Sequence, residues 1–329
     1  MGKLSLTIAT GNYDRTQPIA DGRVNIEGVD PNHLFFSPEE MFYRAFRFES
    51  FDVCELSLSS YCIGICKPNF PYIAIPVFLS RSFRHSAIYT RNDAFIVKPT
   101  DLKGKTLGIT EYQLTANVWV RGMLEDYYGI PQSAIKWVRG GLQDPNRPEK
   151  MKISMPAGVD YQEAPEGMTL NKLMEAKQID GLIGPRPPNN FYNNDAYGRL
   201  FLDTCLAVSE YYRNTRIFPI MHVLGIKKEL VTKYPWLPAS LYKAFDEARR
   251  IALEAVLDTS ASKMTLPLID EQIDYVRKEL GPELWTYGFK DNQQVINKFL
   301  EYHYNQGLSP QHLVAKELFH PSSIDSFSL

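Results

Sequence analysis

Residues 72–79 read YIAIPVFL, eight apolar side chains in a row. A bilayer span takes about 20 such residues, so the run is too short to cross a membrane. It is also too continuous for a strand with one face in water, and it predicts a strand buried in a parallel sheet. Burial on both faces demands covering helices, which makes the chain an α/β protein.

The rest of the sequence supplies those partners. LSLTIAT at 4–10 reads as a first strand, followed by GNYDRTQPI, a loop of turn formers. Ser37 with Glu40 three residues later is a capping-box signature, which starts a helix at SPEEMFYRAFR. FDVCELSLSSYCIG is a further strand ending in hydroxyl residues, with Glu55, Ser57 and Ser59 at alternate positions and so on one face. LKGKTLGIT and AIKWVRGG are strands on either side of the helix in EYQLTANVWVRGMLEDYYGI, which Gly129 closes. Beyond a Pro-rich polar stretch at 144–168, TLNKLMEAKQ reads as a helix and IDGLIG as a strand running into PRPPNNF. RIFPIMHVLGI returns as a strand around 216–226, and from YPWLPASLYKAF onward the pattern is helical to near the C-terminus.

At about 150 residues per domain, 329 residues make two. The expected plan is a two-lobed α/β protein with mixed sheets flanked by helices. Residues 1–92 and 216–329 form a discontinuous first lobe with a helical C-terminal region, 93–215 an inserted second lobe, and a ligand cleft lies between them. Ligands of open α/β sheets sit beyond the carboxyl ends of the strands. Those ends carry Tyr13 and Arg15, Ser57 and Ser59, the cluster Arg81, Arg84 and His85, Thr110 to Thr115, and Arg186.

Charge narrows the partners. A net charge of −2 without a long basic run excludes nonspecific capture of nucleic acid, so an anion has to be recognised by a local cluster. No segment has the length of a signal-peptide core or a membrane span, which leads us to expect a cytoplasmic protein away from membranes. Cys62 and Cys66 have the spacing of zinc ligands, yet no second Cys or His pair lies near them, and buried free thiols explain them better.

Taken together, GNYDRT, DGRVNIEGVD, FDVCELSLSSY, PVFLSRSFRHSAIYTR, GITEYQLTANVWVRG, GPRPP and IFPIMHV resemble the 4,5-dihydroxyphthalate decarboxylase family, on the type II periplasmic-binding-protein fold. The resemblance runs in order through essentially the whole chain. It implies loss of one carboxylate from 4,5-dihydroxyphthalate, giving protocatechuate and carbon dioxide, with no organic cofactor. Pro185 departs from the small residue of the family's ARPP type and stiffens the loop carrying Arg186.

The implied substrate is a dianion on a catechol ring, each carboxylate para to a hydroxyl. Electron donation from that oxygen lets the carbon bearing the carboxylate take a proton, after which carbon dioxide leaves and aromaticity returns. Such a reaction needs cations for the dianion, an acid at the ring carbon and polar groups at the para oxygen. Arg81 and Arg84 are the expected carboxylate clamps, with Arg15 and Arg186 in reserve; pairing of either clamp with a nearby carboxylate is the structural alternative. Arg121, inside a helix, is expected in a structural ion pair.

Of six histidines, His303, His312 and His320 fall in the helical tail and His33 in a surface turn. His85 and His222 remain, one near each crossing between lobes, and His85 is the preferred proton donor. His222 is the alternative donor, or hydrogen-bonds a catechol oxygen. Glu55 accepts a proton from a catechol hydroxyl or pairs with an arginine; Thr115 caps a helix and donates to an anion; Thr110 lines the site; Tyr13 and Tyr112 stack or hydrogen-bond there, with a place in the core as the stronger alternative. A divalent ion gathered by Glu55, His85 and His222 lacks any compact motif and is not favoured. A cytosolic solute-binding protein for an organic anion is the alternative function, and the sequence leaves homo-oligomerisation open.

Overall fold

Leu4–Thr10 (β1) runs parallel to Val29–Phe35 (β2) on one side and to Val53–Ser57 (β3) on the other, burying Leu6 and Ile8. The computed structural model describes residues 2–145, 147–261, 263–283 and 285–324. Gln17–Ala20 (α1) and Pro38–Phe48 (α2) link these strands. α2 starts where the capping signal puts it: Ser37 Oγ accepts the Glu40 N–H at 3.4 Å, and Pro38 presets the first turn. His33 is not in a surface turn. It pairs with Ile8 within β2, and its Nε2 lies 2.8 Å from Thr10 Oγ1. β3 passes without an intervening residue into Leu58–Ile65 (α3), because Ser57 already has the backbone of a helix N-cap, φ −59° and ψ 124°. Ser59 therefore leaves the strand face that Glu55 and Ser57 share. Tyr72–Arg81 (β4) follows.

The chain then builds a second sheet from Ile88–Arg91 (β5), Thr106–Ile109 (β6), Lys136–Arg139 (β7), Tyr161–Glu163 (β8), Gly181–Ile183 (β9) and Tyr197–Arg199 (β10). Its order is β10-β5-β9-β6-β7-β8, parallel from β9 to β8 and antiparallel elsewhere. Thr115–Asp126 (α4), Leu170–Glu175 (α5) and Thr204–Thr215 (α6) accompany it, and Leu170, Leu173 and Met174 of α5 pack on Val138 and Leu182. α5 and α6 are capped by Thr169 and Asp203, whose side chains accept the N–H of Lys172 and Leu206.

Ile220–Lys227 (β11) completes the first sheet in the order β2-β1-β3-β11-β4 and is antiparallel to both of its neighbours. The YIAIPVFL run is thus an edge strand, not the interior parallel strand its apolar continuity predicts. Pro76, which has no N–H to give a ladder, suits such an edge. Burial comes from Leu237–Leu257 (α8), reached through Lys228–Lys233 (α7), and from the tail, where Ala74 bridges Phe319. Ile269–Leu280 (α9) and Gln293–Asn305 (α10) complete the helical region, but 285–289 between them has no α-helix, contrary to the continuous helical reading.

Two compact units result. One holds the chain to Arg81, Ile220–Asn297 and the part from Leu313; the other holds Ser82–Pro219 and Lys298–His312. Residues 82–92, assigned above to the first lobe, fall in the second unit because β5 pairs with β9 and β10. Lys298–His312 does so because Gln306 receives Arg121 Nε at 2.9 Å and Tyr302 packs on Trp119 and over Gly122 of α4, where any Cβ would meet its ring at 2.1 Å.

Candidate active site

In the first unit the carboxyl ends of β1, β3 and β4 meet the start of β11 at one edge of the sheet. Glu55 is fully buried there. β11 sets His222 opposite Ser57, which makes Glu55 its diagonal neighbour on the same face, and His222 Nδ1 lies 2.5 Å from Glu55 Oε1. The Gly11 N–H donates to Glu55 Oε2 at 2.9 Å, and the Tyr13 hydroxyl donates to Oε1 at 3.1 Å. Burial works to raise the Glu55 pKa, but His222 and these two donors overcome it and hold the carboxyl below its ordinary range. The Tyr13 phenol is pushed well up by burial and by the Glu55 charge, so it stays protonated and donates. Gly11 is required by this packing: a Cβ would lie 2.2 Å from the Tyr13 ring.

The edge of Phe42 meets the His222 ring at 4.8 Å and 84°, fixing its plane. With Nδ1 on the carboxylate, Nε2 has no partner among the described residues, and the side chain remains 15% exposed. A fixed imidazole with one nitrogen on a buried anion and the other open can hold a proton and deliver it.

Two arginines adjoin this pair. Arg15 gives Nε and Nη2 to Leu79 O at 2.8 and 2.5 Å, and its guanidinium lies 4.2 Å from the Tyr13 ring and 4.4 Å from Trp285. Among the described residues Nη1 meets only the exposed Asp14, at 3.1 Å. Arg81, at the end of β4, donates Nη1 to Thr286 O and Oγ1 at 3.2 Å. Ser57, buried, faces His222 across the ladder, and Ser59 is buried in the first turn of α3.

Arg84, His85, Thr110, Tyr112, Thr115 and Arg186 belong to the second unit. The geometry does not support His85 as the donor. It is 1% exposed among the rings of Phe201, Tyr211 and Tyr128, at 5.0, 5.1 and 6.3 Å, and neither ring nitrogen has a partner among the described residues. Burial pushes its pKa down to about 4, so at neutral pH it carries no imidazolium proton. Arg84 is half-buried, its pKa brought down to about 10 by desolvation. Arg186 is exposed, and Thr110 is buried just beyond β6. Tyr112 is structural: its hydroxyl bonds Gln132 and Gln306 O, and its ring lies 3.8 Å from the Arg121 guanidinium. Among the described residues Arg121 has no carboxylate partner of the kind expected; it uses Gln306 Oε1 and Tyr112 O. Thr115 is the first residue of α4 and not its cap, a position taken by Leu114 without a side-chain bond.

Gly11, Phe42, Trp285 and Thr286 were not legible as site residues. Gly11 alone carried a signal, following a strand in a turn-rich loop. Among the described residues no three His, Cys, Asp or Glu side chains are grouped to hold a metal ion, and no helix is long and apolar enough to cross a membrane.

No family model matches the chain. It is 49% identical over 330 residues to the 4,5-dihydroxyphthalate decarboxylase of Comamonas testosteroni, spanning 100% of both chains. The protein of the same name from Pseudomonas putida is 49% identical over 214 residues, 65% of this chain and 83% of that one. Among solved structures, the alkanesulfonate-binding protein of Xanthomonas axonopodis pv. citri bound to MOPS superposes with a TM-score of 0.53 at 12% identity, over 97% of this chain and 99% of the other. A Candida albicans protein described as having the generic periplasmic binding protein structural fold gives 0.50 at 11% identity, over 97% and 95%. At such identities the likeness establishes the fold, that of the periplasmic binding proteins, and nothing about ligands.

Proposed function

The chain belongs to the 4,5-dihydroxyphthalate decarboxylase family and is a carboxy-lyase, and from that premise we propose that it converts 4,5-dihydroxyphthalate to protocatechuate and carbon dioxide at the Glu55–His222 pair. The observation that carries this reading is His222 itself, with Nδ1 on a buried carboxylate and Nε2 without a partner among the described residues. Protonated His222 delivers its Nε2 proton to the ring carbon that bears the departing carboxylate. The electron pair of the para hydroxyl, which sheds its proton, supports the new C–H bond and produces a dienone. The C–C bond to the carboxylate then breaks, its electrons restore the aromatic ring, and the para oxygen is protonated again, for a net uptake of one proton.

Glu55 stabilises the imidazolium and fixes its orientation, with Gly11 and Tyr13 keeping the carboxylate charged. Arg15 and Arg81 receive the substrate carboxylates, a task for which guanidinium geometry is suited. The fold likeness to solute-binding proteins carries no receptor activity to this chain.

Purified protein incubated with 4,5-dihydroxyphthalate is expected to yield protocatechuate by chromatography. His222→Asn is expected to lose turnover by about 10²-fold or more while still binding substrate. An unchanged dianion with the wild-type chain, or undiminished turnover in His222→Asn, would overturn the reading.

A further inference from the structure

β4 is irregular beside His222. Between the pairs His222↔Ser80 and Leu224↔Ile75, two steps of β11 meet five of β4, so residues 76–79 drop out of the ladder. Bulges of this kind free backbone groups and re-aim side chains next to active sites. Three of the carbonyls released here have takers: Pro76 O accepts the Gly288 N–H at 2.9 Å, Phe78 O accepts Trp285 Nε1–H at 2.9 Å, and Leu79 O accepts Arg15. Arg15 and Trp285 are thus anchored on consecutive carbonyls of one strand, with the indole against the guanidinium. Trp285 is held at its other end too, its carbonyl accepting Arg249 Nη1 at 3.0 Å.

We propose that Trp285 positions Arg15 to receive a carboxylate of the aromatic diacid, making this stack on the β4 bulge a specificity element of the site. The inference rests on the proposed role of Arg15. Stacking covers the faces of the guanidinium without using any of its in-plane N–H donors. Leu79 O takes the Nε and Nη2 edge, which leaves the Nη1 edge, where among the described residues the one polar partner is the solvent-exposed Asp14 carboxylate. A substrate carboxylate can replace Asp14 there with no protein group left buried and unpaired. Tyr13, whose ring lies 4.2 Å from the same guanidinium, ties the stack to Glu55 and His222.

The test uses the full chain with Trp285→Leu and Trp285→Phe. Trp285→Leu is expected to raise KM for 4,5-dihydroxyphthalate, and Kd for phthalate by calorimetry, about fivefold to tenfold, with kcat within about twofold; tenfold corresponds to about 1.4 kcal/mol. Trp285→Phe restores an aromatic face without the N–H and is expected to recover most of the affinity. It is also expected to abolish most of the tryptophan emission change on adding phthalate, a readout that stands even if Trp285→Leu fails to fold. Unchanged KM and Kd in Trp285→Leu, equal weakening in both variants, or an emission change that persists in Trp285→Phe overturns the assignment. Wild-type chain that binds phthalate but releases no carbon dioxide from 4,5-dihydroxyphthalate, with Trp285→Leu binding phthalate more weakly, refutes the decarboxylase reading and leaves the stack standing.

Discussion

Glu55→Gln separates the charge of the buried carboxylate from its shape. Glu55 has no exposed surface and faces three donors, the Gly11 N–H, the Tyr13 hydroxyl and His222 Nδ1. Glutamine offers one oxygen and an NH₂ that is itself a donor. With its oxygen kept on the Gly11 N–H, the NH₂ takes the place of Oε1, where the Tyr13 hydroxyl can rotate to accept from it but a protonated His222 Nδ1 cannot, and an orphaned buried donor costs about 1–3 kcal/mol. For turnover the charge matters more. Removing one member of a buried ion pair costs about 3–5 kcal/mol, which here falls on the imidazolium form of His222. At 1.36 kcal/mol per decade the lower part of that range slows kcat by about 10²- to 10³-fold. KM should change less than about threefold, because Arg15 and Arg81 are untouched. Stability supplies an independent check through pH. The folded pKa of Glu55 is depressed, so its stabilisation is complete above the unfolded value and is lost as pH falls through the folded one. Glu55→Gln lacks that loss, and its stability deficit should narrow with acidification. Urea denaturation at two pH values and steady-state carbon dioxide release measure both effects, and a kcat within threefold of wild type would refute the role of the charge.

Two further outcomes test the packing of the site and the removal of His85 from it. His85 is buried with its pKa lowered from 6.5 to about 4; between those values the unfolded chain binds more protons, so its contribution to stability falls as pH drops through that window, by up to about 2 kcal/mol at pH 5. His85→Phe should flatten this part of the urea-midpoint profile and keep kcat; a large kcat loss in a folded variant would return His85 to the chemistry. Gly11→Ala should force the Tyr13 ring off Glu55, since the new Cβ meets it at 2.2 Å, and should reproduce the turnover loss of Tyr13→Phe, about tenfold as the equivalent of one hydrogen bond to a charged group. Unequal losses in the two, or turnover that survives both, would separate the ring position from catalysis.

Periodicity located most strands and the cap that starts α2, because these depend on residues a few positions apart. It failed on β4 for a physical reason. An apolar run reports how much of a strand is covered and not by what, and here α8 and the C-terminal segment do the covering that neighbouring parallel strands were expected to do. Pro76 within the run was the local sign of an edge. The 285–289 segment was misread because a helical stretch on either side hides a short break, although Gly288 at φ +91° marks the turn.

The site was legible as a set of residue types at strand ends, but not as a set of pairs. Glu55 and His222 stand 167 residues apart, and no spacing rule joins them. What joins them is the antiparallel register of β3 and β11: with Ser57 opposite His222, the residue two back along β3 falls on the same face within reach of the ring. The same register explains why Glu55, left above as partner to an arginine or a catechol hydroxyl, takes an imidazole instead. The arginines of this edge have other fixed acceptors, Leu79 O for Arg15 and Thr286 for Arg81. The carboxylate is left to the imidazole, the partner through which the proposed reaction would move a proton.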